Sequence, residues 1–484
     1  MKFWPINSKD IVAICICFSW IILYCFALYS AYETMQWWLV VIAPASVLLW
    51  YFVFDPELFL FLTIFFIPIS IRLDMQGGGA VAFPSEIMAV MLAGYLVVNF
   101  SSIRIPDRRV FTHPIFILLL AYLAWMAIAS LSSELPVVSF KHTFIQALYF
   151  LVFYFLFLIK FDKKENISKF YLYYALGLII PIANGMHWHS QYNFMQQASY
   201  YMPQPFFIEH TLYAASIAFV IPMLFYLAFF PNELVTSARS KIFVALLLAF
   251  ILTAEFLSYS RAAWFSLLVL PFLFIVIILR IRQVYLLAGT LAIATVLLLN
   301  TERIINYIGQ NESSSNRGNI KEQFQSVSNI RTDISNLERI NRWKCALRMF
   351  EERPVFGFGP GTYQFIYGSY QVRSEMTEIS TFNGDKGNAH SEYLGFLAES
   401  GIPGLLIYLV IILTALSTAL KVIYHVADVQ ARNIAIVVLL SISTFFFHTI
   451  FNGFLETEKI GPLFYGSLAG ITAMDVYFFR KKPG

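Results

Sequence analysis

The amino-acid sequence predicts an all-α polytopic membrane protein with about fourteen transmembrane helices, twelve at the fewest, and one large, mainly helical loop on the outer side. Its 484 residues are 59% hydrophobic and only 13% charged, whereas a soluble domain carries about 25% charged residues. Apolar runs close to the roughly 20 residues that span a bilayer recur along the chain. The Lys and Arg residues between these runs are dense in every second connecting segment.

The same composition excludes several other classes of protein. An apolar excess of this size excludes a soluble enzyme and a disordered protein. The net charge of +4 is too small for a polyanion-binding surface, so we expect no nucleic-acid partner. Four cysteines in a chain of this length exclude a disulfide scaffold.

The apolar runs set the predicted domain organisation. The first run follows Lys2 and Lys9, but its apolar core is too long for a cleaved signal peptide, so we expect an uncleaved anchor. Whether the short third run is a full crossing stays open. We predict transmembrane helices 1–11 in residues 1–300, an outer loop in residues 301–398 and transmembrane helices 12–14 in residues 399–484. The runs lie near residues 11–30, 37–54, 57–71, 84–100, 114–131, 142–159, 170–186, 208–230, 242–258, 263–279, 283–299, 401–420, 433–452 and 461–479.

The positions of Lys and Arg predict which side of the membrane each segment faces. With a cytoplasmic N-terminus, the cytoplasmic segments hold eighteen of the 33 Lys and Arg residues. The short outer segments hold only four, namely Arg72, Lys141, Arg261 and Lys459, and the long loop holds the remaining eleven. This bias follows the positive-inside rule. Both termini are therefore predicted to be cytoplasmic and the long loop to lie outside.

The outer loop contains one clear helical pattern, in residues 333–352. Pro354 ends this helix, because the residue before a proline is pushed out of the α region. Arg339 and Trp343 are four residues apart and therefore neighbours on one face. Arg339 falls at the border of the apolar stripe, so it is the basic residue best placed to face something other than bulk water. The alternative is an arginine that stacks on its own tryptophan. The predicted stripe consists of Ile334, Leu337, Ile340, Trp343, Leu347 and Phe350.

Three glycines follow this helix, at positions 357, 359 and 361. They do not follow a strand of a βαβ unit, so a dinucleotide-binding turn is a weak interpretation. Glycine permits backbone conformations that other residues avoid. We therefore expect a tight turn close to the membrane surface or to a ligand.

His390 is the candidate general base of the loop. Asn388 is a predicted N-cap, which places His390 in the first turn of a short helix that ends at Gly401 before the next span begins at Pro403. The positive helix end disfavours a second positive charge, so the imidazole is expected to stay neutral, as a general base requires. The alternative is a capping or interfacial histidine. Glu399 lies on the opposite side of this helix and is expected to fix structure.

Arg261 is the ionisable residue at the outer end of a predicted span, in a turn with almost no other charge. An arginine at the centre of a membrane helix costs about 2.5–3.5 kcal/mol, and less near the interface. This cost is a reason to expect a function. The alternative is snorkelling of the side chain to lipid phosphate.

Three further histidines, His187, His189 and His210, lie with Glu209 in or beside the outer loop before the eighth span. Their spacing matches no standard metal site, although a metal site is one interpretation. We expect instead that they help to bind a sugar or a phosphate, and we predict no metal and no cofactor.

Three sequence elements carry a resemblance to a known family. Ser260-Arg261 stands at the outer end of a span, and Arg339 and Trp343 lead into Pro354, Gly357, Gly359 and Gly361. The third element comprises His390, Ser391, Tyr393, Leu394, Glu399 and Gly401. Together they resemble the O-antigen ligase/polymerase superfamily of bacterial membrane glycosyltransferases. The resemblance covers residues 260–404, and the rest of the chain is similar only as a hydrophobic chain of many spans.

The resemblance implies a GT-C-like fold and a site at the periplasmic face of the bacterial inner membrane. It implies a glycan donor linked to undecaprenyl diphosphate, presented from the lipid bilayer, and metal-independent inverting transfer to an acceptor hydroxyl. His390 is expected to deprotonate the acceptor, and Arg261 and Arg339 to stabilise the leaving diphosphate. The remaining residues expected to bind substrate are Arg342, Tyr393, His210 and Glu399.

The sequence leaves the acceptor open. It is a saccharide of the lipopolysaccharide core, a growing polysaccharide or a protein. Ser391 stands where the ligases usually carry Asn, which together with the fourteen spans favours a polymerase or exopolysaccharide branch. The alternative functional class is a transporter or flippase of lipid-linked oligosaccharides. That class predicts charged residues in the middle of the spans, where this sequence has almost none.

Overall fold

The structure is a computed structural model that describes residues 52, 54–74, 80–103, 105–281, 334–377, 379–381 and 387–479. The chain divides into two compact units between Thr63 and Ile64. The described part of the first unit contains the start of the helix Pro56–Ile69. Every predicted site residue lies in the second unit.

The described residues are mostly helical, and eight helices are long and apolar enough to cross a membrane. The two strands are short and antiparallel, Ile71–Asp74 and Ala80–Phe83. The predicted all-α membrane class is confirmed. The predicted count of fourteen is not tested, because the spans near 11–30 and 283–299 and nearly all of 37–54 lie outside the described residues. The eight helices are Pro114–Leu131, Pro136–Lys160, Lys164–Gln191, His210–Phe229, Ala238–Leu257, Arg261–Ile278, Glu392–His425 and Val429–His448.

Shorter helices complete the described fold. Two apolar helices of 14 and 15 residues are Pro56–Ile69 and Ser85–Asn99. The last helix, Gly461–Ala473, continues as one π-helical stretch, Met474–Phe478. The segment before the helix Glu392–His425 contributes helices at Ile334–Glu352 and Tyr363–Ile366. Single turns complete the set, at Arg108–Thr112, Gln196–Ser199, Tyr367–Tyr370 and Arg373–Glu375.

Several membrane helices extend beyond the apolar runs that predicted them. The run near 142–159 belongs to Pro136–Lys160, and the run near 401–420 belongs to Glu392–His425. Hydropathy detects the part of a helix that matches the hydrocarbon core. The helix ends outside that core carry polar residues, so hydropathy underestimates their length. The predicted boundary at residues 398 and 399 accordingly falls inside a helix.

The helix His210–Phe229 is the centre of the described bundle, with 83% of its apolar window buried. It packs against Ala238–Leu257, Val429–His448 and Lys164–Gln191. Its buried small residues, Ala214, Ala215, Ser216 and Ala218, let neighbouring backbones approach closely. In contrast, only 22% of the window of Arg261–Ile278 is buried, so most of its apolar side chains are available to lipid.

The helices have two distinct ends. At one of them, which we call the basic end, Lys164 forms ion pairs with Asp428 at 2.8 Å and with Glu233 at 3.0 Å. These pairs join three of the segments that the sequence predicts to be cytoplasmic. The opposite end, which we call the site end, carries the segments 131–136, 257–261 and 448–461 and the helix Ile334–Glu352.

The helix Ile334–Glu352 confirms the predicted helix, but its predicted buried stripe is wrong in part. Leu347 is 42% exposed, whereas Arg342 is only 7% exposed. Arg342 becomes buried because Glu338 pairs with it at 2.9 Å across one helical turn. The apolar contacts of this face come from Cys345, Ala346 and Met349, which pack in one cluster with Tyr363 and Tyr367.

Gly401 interrupts the helix Glu392–His425 with a φ of 66° and a ψ of −168°. A Cβ atom at this position would lie 2.1 Å from the carbonyl oxygen of Val355. The amide of Ile402 donates to the carbonyl oxygen of Pro354 at 2.9 Å. The predicted end of a first helix at Gly401 is therefore confirmed, and the kink holds the outer segment against the membrane helix.

Candidate functional site

The Arg339 helix, Ile334–Glu352, is fastened to the segment that carries His390. The indole Nε1 of Trp343 donates to the carbonyl oxygen of His390 at 3.1 Å. Arg342, the residue before Trp343, donates to the carbonyl oxygen of Asn388 at 3.1 Å while it pairs with Glu338. Arg342 thus holds two elements together, and its buried ion pair favours this structural role over the predicted substrate contact.

His390 does not lie in the first turn of its helix, and Asn388 is not the N-cap. The N-cap is Ser391, whose Oγ accepts from the amide of Leu394 at 3.5 Å. His390 precedes it with a φ of 49°. Asn388 instead makes a local turn, because its Oδ1 accepts from the amide of His390 at 3.0 Å. Ser and Asn are both favoured N-caps and turn residues, so the sequence alone does not separate these roles.

The imidazole of His390 is held neutral. Burial, together with the positive charges of Arg342 and Arg339, lowers its pKa from 6.5 to about 3, and burial is the largest of these causes. The predicted neutral state is therefore found, but its main cause is desolvation, not the helix dipole. A neutral imidazole is the form that accepts a proton from an attacking hydroxyl.

Arg339 is the common electrostatic neighbour of three histidines. Its charge acts on the imidazoles of His210, His390 and His448. His210 begins the helix His210–Phe229, and its ring meets the edge of Tyr200 with 4.5 Å between centroids. His448 ends the helix Val429–His448. Histidines from three elements that are distant in sequence thus lie within electrostatic range of one guanidinium.

His448 was not predicted from the sequence. The residue lies inside a predicted apolar span, near the end that leads to an outer segment. An ionisable residue in such a place is expected to face protein or a polar cavity. This signal could be read from the sequence. The relation of His448 to Arg339 could not, because no short motif contains both residues.

Arg261 begins the helix Arg261–Ile278 at the site end, as predicted. One turn later, Phe265 stacks on Phe447 with 5.4 Å between ring centroids. This contact sets the start of the Arg261 helix beside the end of the helix that carries His448. The turn before Arg261 is closed by Trp264, whose Nε1 donates to the carbonyl oxygen of Glu255 at 3.0 Å.

Glu399 fixes the glycine stretch, in agreement with the structural role expected from the sequence. Its two carboxylate oxygens accept from the amides of Gly361 at 2.9 Å and Tyr363 at 2.8 Å. Gly357 has a φ of +66°, and a Cβ atom there would lie 2.3 Å from the carbonyl carbon of Glu399. The glycines therefore allow a close approach to this helix. These bonds give Glu399 a structural role, and its predicted substrate contact stays a prediction.

Tyr393 joins the His390 segment to the helix Val429–His448. Its hydroxyl donates to the carbonyl oxygen of Phe446 at 3.1 Å. The amide of Glu392 donates to the carbonyl oxygen of Thr449 at 3.0 Å. These bonds favour a positioning role for Tyr393, which was predicted to bind substrate, and they fix His390 and His448 relative to one another.

The histidines before the eighth span do not form a metal site. His189 bonds through Nε2 to the carbonyl oxygen of Met195 at 2.9 Å, and His187 bonds to the side chain of Gln191. Within residues 52–281 and 334–479, apart from their short gaps, no group of three or more His, Cys, Asp or Glu side chains can hold a metal ion. The charge of Arg339 acts on the imidazole of His210.

A family model described as O-antigen ligase matches residues 243–409. This segment is similar to the O-antigen ligase family and covers about a third of the chain. The predicted family resemblance is therefore confirmed over residues that include Arg261, Arg339, His390 and Glu399. His210 and His448 lie outside the matched segment.

One curated relative is similar to about a quarter of the chain. An uncharacterized protein of Haemophilus influenzae is 28% identical over 129 residues, which are 27% of this chain and 31% of the relative. The chain thus matches about a third of that relative's length. Together with the eight apolar helices, the family match indicates a membrane protein with a segment similar to the O-antigen ligase family.

Proposed function

We propose that the protein is a bacterial membrane glycosyltransferase of the O-antigen ligase type. It transfers a glycan from undecaprenyl diphosphate to an acceptor hydroxyl at the periplasmic face of the inner membrane. The observation that carries this proposal is that the positive charge of Arg339 acts on the neutral imidazole of His390, on two segments that Trp343 joins. The guanidinium of Arg339 can bind a leaving diphosphate, and the imidazole of His390 can accept a proton from the acceptor.

The proposed reaction is a single in-line displacement. The acceptor oxygen attacks the anomeric carbon and gives its proton to His390. The bond from the anomeric carbon to the diphosphate oxygen breaks, and undecaprenyl diphosphate leaves with the bonding electrons. Attack opposite the leaving group inverts the anomeric centre.

Arg339 and Arg261 stabilise the charge that develops on the leaving diphosphate. A guanidinium presents its donors as a fixed fork that matches phosphate oxygens. Donors that are already aimed at developing charge lower the barrier without reorganisation. Two such groups supply the positive charge that a divalent cation provides elsewhere, so we propose a metal-independent reaction.

Donor binding prepares the base. Before the donor binds, burial and two arginine charges hold the pKa of His390 at about 3, which makes the imidazole neutral but weakly basic. The diphosphate brings negative charge beside Arg339 and offsets that arginine's effect. The proton affinity of His390 then rises when the acceptor is about to be deprotonated.

The acceptor is a lipid A-core sugar, a second lipid-linked repeat unit or a protein hydroxyl, and the predicted span count and Ser391 favour the repeat unit. A flippase of lipid-linked oligosaccharides is the alternative. The positions of three ionisable side chains argue against a flippase. His210 and Arg261 begin their membrane helices, and His448 ends one. Transporters are expected to place such groups near the bilayer midplane.

A transfer assay on the full chain in vesicles tests this proposal. Undecaprenyl-diphosphate glycan is supplied with each of the three acceptor classes, and both products are measured. We expect one acceptor to yield glycosylated product together with an equal amount of undecaprenyl diphosphate. Movement of intact donor across the bilayer without cleavage would support the flippase and contradict the transferase.

A further inference from the structure

We propose that His448 is a further substrate-binding residue, which holds a hydroxyl of the donor sugar next to the diphosphate. The proposal rests on the function proposed above and extends it to a residue outside the matched family segment. A neutral imidazole offers one donor and one acceptor nitrogen. That pair suits a sugar hydroxyl, which both donates and accepts a hydrogen bond.

The first observation is that His448 is buried without using its ring nitrogens. The residue is 1% exposed. Neither Nδ1 nor Nε2 has a hydrogen-bond partner in the part of the chain that the structure describes. Buried polar side chains nearly always have a partner, because an unsatisfied group lowers stability. A substrate that enters the site provides the missing partner.

The second observation is the position of His448. Tyr393 bonds to the carbonyl oxygen of Phe446 at 3.1 Å, and Glu392 bonds to that of Thr449 at 3.0 Å. These contacts lie on either side of His448 and tie it to the segment of His390. The charge of Arg339 reaches the imidazole. His448 therefore lies within electrostatic range of Arg339, on a helix end that is hydrogen-bonded to the segment of His390.

The observed contact of the His448 ring does not require its nitrogen atoms. Its ring lies near that of Phe454, with 5.4 Å between centroids. A phenylalanine would make such a contact without the cost of buried nitrogens. His113 shows the contrast, because it is also buried but its Nδ1 accepts from the amide of Ile115 at 3.3 Å.

The test compares His448→Phe with wild type in thermal unfolding, with and without undecaprenyl-diphosphate glycan, and in transfer kinetics. Without donor, the variant is expected to be at least as stable as wild type, because it removes unsatisfied buried nitrogens. With donor, its thermal stabilisation should be lost and its KM for the donor should rise at least tenfold, with a smaller change in kcat. His448→Gln, which keeps one donor and one acceptor, should recover part of the donor affinity.

The matched control is His113→Phe, at the basic end. It should be less stable than wild type because it loses a bonded nitrogen, and it should keep the donor response. A His448→Phe protein that does not fold, or that is destabilised, would show a structural role and overturn the proposal. So would a normal KM and a normal donor response. If wild type itself does not respond to the donor, the proposed function fails, and this inference fails with it.

Discussion

The indole Nε1 of Trp343 lies 3.1 Å from the carbonyl oxygen of His390 and donates a hydrogen bond to it. Trp343 is one helical turn from Arg339, so this bond couples the helix of the diphosphate-binding candidate to the backbone of the candidate base. The backbone at His390 has a φ of 49°, which is uncommon for a residue with a side chain. Bonds from Trp343 and Asn388 hold this residue in place.

Replacing Arg339 with lysine tests the fork that the proposed chemistry needs. The charge remains but the paired donors are lost, so we expect kcat/KM for transfer to fall by about 10²-fold. Arg353→Lys is the matched control, because Arg353 also lies at the site end but forms an ion pair with Glu134 at 2.6 Å. Steady-state transfer assays on both variants check the expectation. Full activity of Arg339→Lys would remove the basis of diphosphate recognition by a guanidinium.

The buried imidazole of His390 predicts a specific dependence of stability on pH. Its pKa falls from 6.5 to about 3 on folding, so between these values the unfolded chain binds a proton that the folded chain does not. Stability is therefore lost as the pH falls from 6.5 towards 3. His390→Gln lacks this contribution and should gain about 2 kcal/mol relative to wild type between pH 7.5 and pH 5.

Thermal unfolding in detergent at these two pH values measures the difference. His425→Gln is the control, because His425 is exposed at the basic end. Parallel changes of all three proteins with pH would show that His390 is not the buried neutral group described.

The glycine stretch predicts a large effect from a small substitution. Gly357→Ala places a Cβ atom 2.3 Å from the carbonyl carbon of Glu399 at a φ of +66°, so we expect a loss of about 2–3 kcal/mol of stability. Gly94→Ala is the control, because a Cβ atom there meets nothing within 4 Å. It should be neutral or slightly stabilising. Equal melting temperatures of the two variants would contradict the close approach.

Cysteine labelling tests the predicted topology. Ser374 is exposed on the outer segment and Ser237 is exposed at the basic end. We expect a membrane-impermeant maleimide to label Ser374→Cys in cells with a permeable outer membrane and to spare Ser237→Cys until the inner membrane is opened. Wild type provides the background from the native cysteines. The reverse pattern would invert the topology and place the site in the cytoplasm.

The sequence predicted those features of the fold that depend on local patterns. Apolar runs reveal membrane helices, and the spacing of apolar residues revealed the helix Ile334–Glu352. The buried face of that helix was beyond such a pattern, because Arg342 is buried only once Glu338 pairs with it. The cap at Ser391 was missed because Asn388, three residues earlier, is an equally good candidate by residue type.

The candidate site was predictable only where its residues lie in motifs. Arg261, Arg339 and His390 each stand in a short motif, and the structure gives each a place at the site end. His448 has no motif, and its relation to Arg339 depends on a helix about one hundred residues further along the chain. Such long-range proximity follows from packing, which residue spacing does not encode.

We propose that His390 takes the proton of the acceptor while the diphosphate leaves, and substitution of His390 tests this role. Purified wild type, His390→Ala and His425→Ala are compared for release of undecaprenyl diphosphate and formation of glycosylated acceptor. We predict that His390→Ala loses about 10²- to 10⁴-fold in kcat, as expected for removal of a general base, while His425→Ala keeps the wild-type rate. A His390→Ala enzyme that transfers glycan at the wild-type rate would contradict the claim.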